Sequence, residues 1–304
     1  MLDVLKIVLP VVLMLGIGSI CRVYQIFDRA GIDAMKKFVV NIALSAVLVN
    51  AFASMEYSFM TLFQTLCMFA VCVVSWFVGK IVSHVMRGSN FIPFLVSGFE
   101  AGMLGYAFYS MLYGTEHLSV FAKLDLGQVL FVFTFYKIML GKEEAKQRSN
   151  QNLLLEMIKS PTIIAISCGV MIGLTGLYHI ANVKQVLDAC TNFISAPTSA
   201  VILLTIGYDL VFGKIPWKAV GQALISRIII MVVLRVGLGV LFTQIGLSDE
   251  TLQALNVMLI LPPPFVISVF AKDEKQQTYL SSVLTLSTVI SLIGFMVLAI
   301  LLLV

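Results

Sequence analysis

Apolar residues fill this chain in long runs separated by short polar connections. Ten runs can be marked, near residues 3–24, 34–54, 59–82, 91–112, 119–140, 160–180, 186–212, 218–242, 250–271 and 277–303. Each is close to the ~20 residues that carry an α-helix across about 30 Å of hydrocarbon. Strict polar–apolar alternation is absent, which argues against a transmembrane barrel. The pattern predicts an all-α polytopic membrane protein of ten transmembrane helices. The longest polar connection, GKEEAKQRSNQN at 141–152, has five runs on each side.

That symmetry predicts a domain plan: a first five-helix repeat at 1–140, a cytoplasmic linker at 141–159 and a second repeat at 160–304. Pro10 near the start of the first run matches Pro161 at the start of the sixth, and NIALSAVLVNAF loosely matches NFISAPTSAVIL. An odd number of spans per half inserts the second half upside down, the inverted-repeat plan of many secondary transporters. Two runs are interrupted. The fourth carries Gly98, Gly102 and Gly105, and the ninth carries Pro262, Pro263 and Pro264. Proline lacks a backbone donor and clashes with the preceding turn, so three in a row break a helix. An unpaired carbonyl in hydrocarbon costs several kcal/mol, so the break must be buried in protein or line a wet cavity. Pro264 suits the first position of a new half-helix. The glycines either let the chain unwind or form a small-residue packing face. With inverted halves, broken helices 4 and 9 cross near the midplane and point two half-helix N-termini at one place. Such ends carry free N–H groups and partial positive charge, and suit a carboxylate.

Composition narrows the function classes. Hydrophobic residues make up 60%, charged residues 12%, and the mean hydropathy is +1.01. Soluble domains carry about 25% charged residues, so disorder, a nucleic-acid-binding domain and most soluble enzymes are excluded. The net charge of +4 reflects membrane orientation. Counted in alternate connections, fifteen Lys and Arg residues fall on one side and Lys6, Lys123 and Lys184 on the other. The basic side is cytoplasmic, which places both termini outside. Short loops point to a plasma membrane of the bacterial inner-membrane kind. Asp3 and Lys6 in the first run argue against a cleavable signal. The five cysteines lack metal-ligand spacing and are expected as buried free thiols. No metal motif, nucleotide loop or nucleophile–base order is present, so neither an enzyme nor a cofactor is expected.

Two carboxylates and two guanidiniums fall inside runs. Glu100 and Arg227 each lie about nine residues from the cytoplasmic end of a run, roughly 13 Å deep at 1.5 Å per residue. They are expected to pair or to share the cavity, because a lone charge in a bilayer is costly. Asp125 and Arg235, both nearer the outer surface, form an expected second pair. Both pairs could simply tie helices together. A titrating Glu100 beside an anion site would instead suit proton-coupled movement of a carboxylate. Asp209 reads as interfacial. The candidate substrate residues are Gly98, Glu100, Ala101, Gly102 and Gly105 in run four, and Pro262, Pro263, Pro264 and Phe265 in run nine. Asn41 and Ser45 in run two, and Ser195, Pro197 and Thr198 in run seven, are weaker candidates.

LPVVLMLGIGSICRVYQIFDRAGIDAMKKFVVNIALSAVL, KSPTIIAISCGVMIGLTGL, GFEAGMLGY and LPPPFVISVFA stand in an order and spacing that resembles the auxin efflux carrier family across essentially the whole chain. The resemblance implies ten helices, a panel of helices 1, 2, 6 and 7, a core of the remaining helices, and elevator-like alternating access. It also implies a fold similar to bile-acid symporters and, in bacterial members, small organic acids such as malate or malonate as substrates. The chain departs from the family pattern in three places. Glu100 replaces an Asn before the glycines, Tyr106 replaces the proline of the fourth helix, and apolar Phe265, Val266 and Ile267 follow the ninth-helix prolines.

The expected function is secondary transport of a small organic anion across the lipid bilayer, driven by a proton or sodium gradient. The alternative is a membrane sensor that keeps the fold and binds a lipid or metabolite without moving it. Nucleic acid is not an expected partner, and a homodimer is one of the assemblies left open.

Overall fold

The computed structural model describes residues 2–136, 138–140, 160–209, 215–270 and 273–303. The expected linker at 141–159 lies outside the described residues. So do Lys137, Lys214 and Lys272, which the orientation count used. The described chain is helical throughout, with no strand among the described residues.

Thirteen α-helices follow in order among the described residues. They are α1 Leu2–Val23, α2 Arg29–Phe38, α3 Leu44–Ala53, α4 Phe59–Val85, α5 Ile92–Leu95, α6 Tyr106–Tyr113 and α7 Leu118–Phe131. After the linker come α8 Pro161–Leu174, α9 Ala181–Ser195, α10 Thr198–Asp209, α11 Trp217–Gln244, α12 Asp249–Ile260 and α13 Glu274–Leu303. Wider π-helical turns lie at Val39–Ala43, between α2 and α3, at Ala101–Gly105, leading into α6, and at Val132–Tyr136, after α7. Serine caps start several helices where the first N–H groups lack partners: Ser58 accepts from Thr61, Ser160 from Ile163 and Ser248 from Thr251.

Among the described residues, six helical stretches are long and apolar enough to cross a membrane: Phe59–Val85, Thr115–Leu140, Ala181–Asp209, Trp217–Gln244, Asp249–Ile267 and Glu274–Leu302. Leu9–Val23 and Pro161–Leu174 are shorter apolar helices. The second and fourth apolar runs of the sequence fall below spanning length as single helices because a π-turn divides one and a break divides the other. The exposed face of α11 is aliphatic, with Ile225, Ile229, Val232, Val233 and Val236 outward, as lipid contact requires.

Glycines set the closest helix contacts. A Cβ at Gly18 of α1 would strike the Leu204 backbone of α10, and one at Gly207 of α10 would strike the Leu15 backbone of α1. On the other pair, a Cβ at Gly169 of α8 would come to 2.8 Å from the Val49 carbonyl of α3. Gly127 of α7 likewise meets the backbone of α4 at Thr65. Small residues allow helix backbones to approach where hydrophobic burial offers little extra stabilisation. An aromatic cluster of Trp76, Phe94, Phe131, Phe135 and Tyr136 fills the space between α4, α5 and the end of α7. The cysteines are free, but Cys168 and Cys190 are exposed rather than buried, because both sit on outward faces of α8 and α9.

Candidate functional site

The first break begins where α5 ends at Leu95 and lasts until the π-turn at Ala101. Gly98 makes the reversal in the left-handed region at φ +72. The second break begins where α12 ends at Ile260 and runs through Leu261, Pro262, Pro263 and Pro264 to a tight 3₁₀ turn at Phe265–Phe270. The two breaks touch. The Glu100 N–H donates to the Pro262 carbonyl at 2.9 Å, and a Cβ at Gly98 would lie 2.9 Å from Pro264 Cγ.

Each break releases backbone carbonyls, and other elements satisfy them. Arg227 of α11 donates from Nη1 to the Leu95 carbonyl at 2.7 Å. Its Nη2 donates to Gly98 at 3.1 Å and to Leu261 at 2.8 Å. Tyr136 donates to the Phe94 carbonyl at 3.1 Å, Gln128 donates to the Phe99 carbonyl, and Ser291 donates to the Ile260 carbonyl at 2.5 Å. This accounting makes broken backbone tolerable where no bulk water is at hand.

At the amide ends stands an acid, Glu100. Glu100 Oε2 accepts from the Phe265 N–H at 2.7 Å, and its Oε1 accepts from the Met103 N–H at 3.3 Å. One carboxylate therefore caps the start of both segments that follow the breaks. Negative charge at such ends is favourable. Glu100, Gly102 and Met103 remain partly accessible, whereas Ala101 and Gly105 are buried.

The expected charge pairs are revised. Glu100 and Arg227 serve the same double break from opposite sides, one at the amide ends and one at the carbonyl ends, without forming an ion pair with each other. Asp125 and Arg235 do not pair. The Tyr106 hydroxyl donates to Asp125 Oδ2 at 2.9 Å, and Arg235 Nε donates to Asn256. Similar depth on two helices was a poor guide here, because rotation about each helix axis decides which side chains meet.

A cavity of about 330 Å³ opens beside the second break. Phe265, whose N–H Glu100 holds, forms part of its wall. Arg29 and Lys36 of α2, Asp209 at the end of α10, and Gln277, Ser281 and Thr288 of α13 supply its polar lining. Asp209 accepts from Arg29 at 2.6 Å and also from Lys36, and Arg29 Nε meets Asp33 at 3.3 Å, so the linked group carries two cations and two anions. The α13 residues were missed in the sequence reading. Their signal was a polar stripe at helical spacing, Gln277, Ser281, Thr285 and Thr288, on one face of an otherwise apolar run.

The weaker candidates are not drawn into the double break by any described hydrogen bond. Ser45 donates to the Asn41 carbonyl of the preceding π-turn at 3.0 Å, and Ser195 donates to the Asn192 carbonyl at 3.3 Å. Pro197 stands at the kink between α9 and α10, and the Thr198 hydroxyl is buried with no partner. Leu44, at the start of α3, approaches the turn that follows the first break, where a Cβ at Gly102 would lie 3.3 Å from its Cδ2, and α10 packs against the same turn. Among the described residues no group of three or more His, Cys, Asp or Glu could hold a metal ion.

Long apolar helices, with broken backbone and buried charge between them, define an integral membrane protein. A family model described as membrane transport protein matches residues 3–299. The chain belongs to that family, the auxin efflux carriers, whose members are membrane transporters and not enzymes. Comparison with curated proteins gave no match.

Proposed function

We propose that the chain is a secondary transporter of small organic anions, carboxylates above all, in which the substrate and Glu100 take turns at the amide ends of two crossing helices. The observation that carries this reading is the Glu100 carboxylate bridging the N–H groups of Phe265 and Met103. Those ends already hold a carboxylate, so their shape and charge suit one. A substrate carboxylate of similar size would replace it when Glu100 takes a proton and withdraws. The adjoining cavity, with Arg29 and Lys36 at its wall, would offer a carboxylate cationic donors on its way to Phe265.

The reading includes ten spans in two inverted repeats, 1–140 and 160–304, with elevator-type movement of the core against helices 1, 2, 6 and 7. The helix pairing supports it. The first apolar run packs on the seventh through α1 and α10, and the second packs on the sixth through α3 and α8. These two contacts exchange when the halves are exchanged, as a repeat requires. Gly98, Gly102, Gly105, Pro262, Pro263, Pro264 and Phe265 shape the substrate position. Asn41, Ser45, Ser195, Pro197 and Thr198 form its fixed side. Both termini face outward from a bacterial inner membrane, and the driving ion is a proton or sodium.

A second reading rests on the same carboxylate. With Glu100 seated permanently, the protein would be a sensor that binds without moving its ligand. Proteoliposome flux of mono- and dicarboxylates, measured beside ligand-induced shifts in melting temperature, separates the two. Flux with a melting shift for the same acid is the expected result. A shift with no flux selects the sensor, and neither response to any carboxylate defeats the anion reading.

A further inference from the structure

Three carbonyls from two different broken segments converge on one buried point: Leu95 and Gly98 from the first, and Leu261 from the second. Leu261 follows the C-terminal end of the twelve-residue α12, where the helix dipole is negative, and Leu95 and Gly98 end and follow the single turn of α5. In membrane transporters, unwound carbonyls and half-helix C-termini are common ligands for a bound cation. Here the point is filled by a side chain of the protein itself.

We infer that Arg227 is a fixed internal cation that replaces an exchangeable sodium or potassium ion at the double break. The assembly of the two broken helices is therefore independent of both ions. The occupancy of the carbonyls does not rest on the anion-transporter reading. Three observations favour a cation substitute over an ordinary structural ion pair. No acid lies in ion-pair contact with Arg227 among the described residues; its hydrogen bonds go to backbone carbonyls, with the Phe99 ring face 5.5 Å away and the Tyr136 and Cys72 side chains within electrostatic reach. The guanidinium fork carries several donors in a fixed plane and reaches three carbonyls at once. Arg227 is also buried, at 6% exposure, so water does not supply an alternative.

A cavity of about 190 Å³, lined largely by Leu224, Met231, Leu259, Ile260 and Ile290, adjoins Arg227 between α11, α12 and α13. It gives a small cation room to reach the carbonyls once the side chain is shortened. The experiment is a melting-temperature comparison in lipid nanodiscs. Wild type is measured in the chlorides of sodium, potassium and N-methylglucamine at equal ionic strength. Arg227→Ala is measured with and without millimolar methylguanidinium. Wild type should melt at one temperature in all three salts. Arg227→Ala should melt about 5 °C lower or more, and methylguanidinium should restore at least half of the loss. If Arg227→Ala yields no folded protein, Arg227→Lys and Arg227→Met decide the matter, and the lysine variant should melt higher. A sodium-selective rise in wild type, an alanine variant indifferent to methylguanidinium, or a methionine variant melting with or above the lysine one would each overturn the inference. No flux enters the readout, so a chain that carries no anion would defeat the transport reading and leave this one standing.

Discussion

At the carbonyl side of the two breaks, Arg227 makes three hydrogen bonds and is buried. At the amide side, Glu100 makes two, one of them long at 3.3 Å, and stays partly accessible. The first side is closed by a long side chain from another helix. The second is closed by a residue of the break itself, next to a cavity that reaches Phe265. The contrast separates structure from exchange. A site that must release its occupant needs weaker contacts and a way out, and only the amide side has both.

The comparison can be sharpened by substitution. The largest effect is expected from Arg227→Met, which leaves the carbonyls of Leu95, Gly98 and Leu261 without their donor. At about 1–3 kcal/mol for each orphaned group, stability should fall by at least about 3 kcal/mol, read as the denaturant midpoint in nanodiscs. Gly98→Ala comes next. It sets a Cβ at φ +72 and 2.9 Å from Pro264 Cγ, and should cost about 2 kcal/mol in the same assay. Tyr106→Phe removes the donor to Asp125 Oδ2, while Oδ1 already lacks a partner. A loss of about 1–2 kcal/mol is expected, and Asp125→Asn combined with it should recover part. The smallest stability effect belongs to Lys36→Ala, whose partner Asp209 keeps Arg29. Its folding cost should stay within about 1 kcal/mol, as for other accessible ion pairs. Its effect should instead be a raised KM for anion uptake, and an unchanged KM would remove the cavity from the substrate route.

The breaks themselves were legible in the sequence. Three consecutive prolines cannot continue a helix, and Gly98 stands two residues before a carboxylate in an apolar run. The fate of the freed groups was not legible. Arg227 lies 132 residues from Leu95, and nothing local to either position announces the contact. A guanidinium in a membrane run suggests an acid as its partner, yet here it found carbonyls. Gln128 and Tyr136 also escaped notice, although a glutamine in mid-span is itself a sign of a buried acceptor. The pairing of Asp125 with Arg235 failed because depth along a helix can be counted from sequence and the direction of a side chain around it cannot.

The most direct test of the exchange at the amide side is the pH profile of carboxylate uptake into proteoliposomes, wild type against Glu100→Gln. Wild-type uptake should rise as the pH is lowered, because a protonated Glu100 yields the N–H groups of Phe265 and Met103 to the substrate. Glu100→Gln carries no titrating group there, and its uptake should be flat across the same range. An unaltered wild-type profile in the glutamine variant would contradict the exchange.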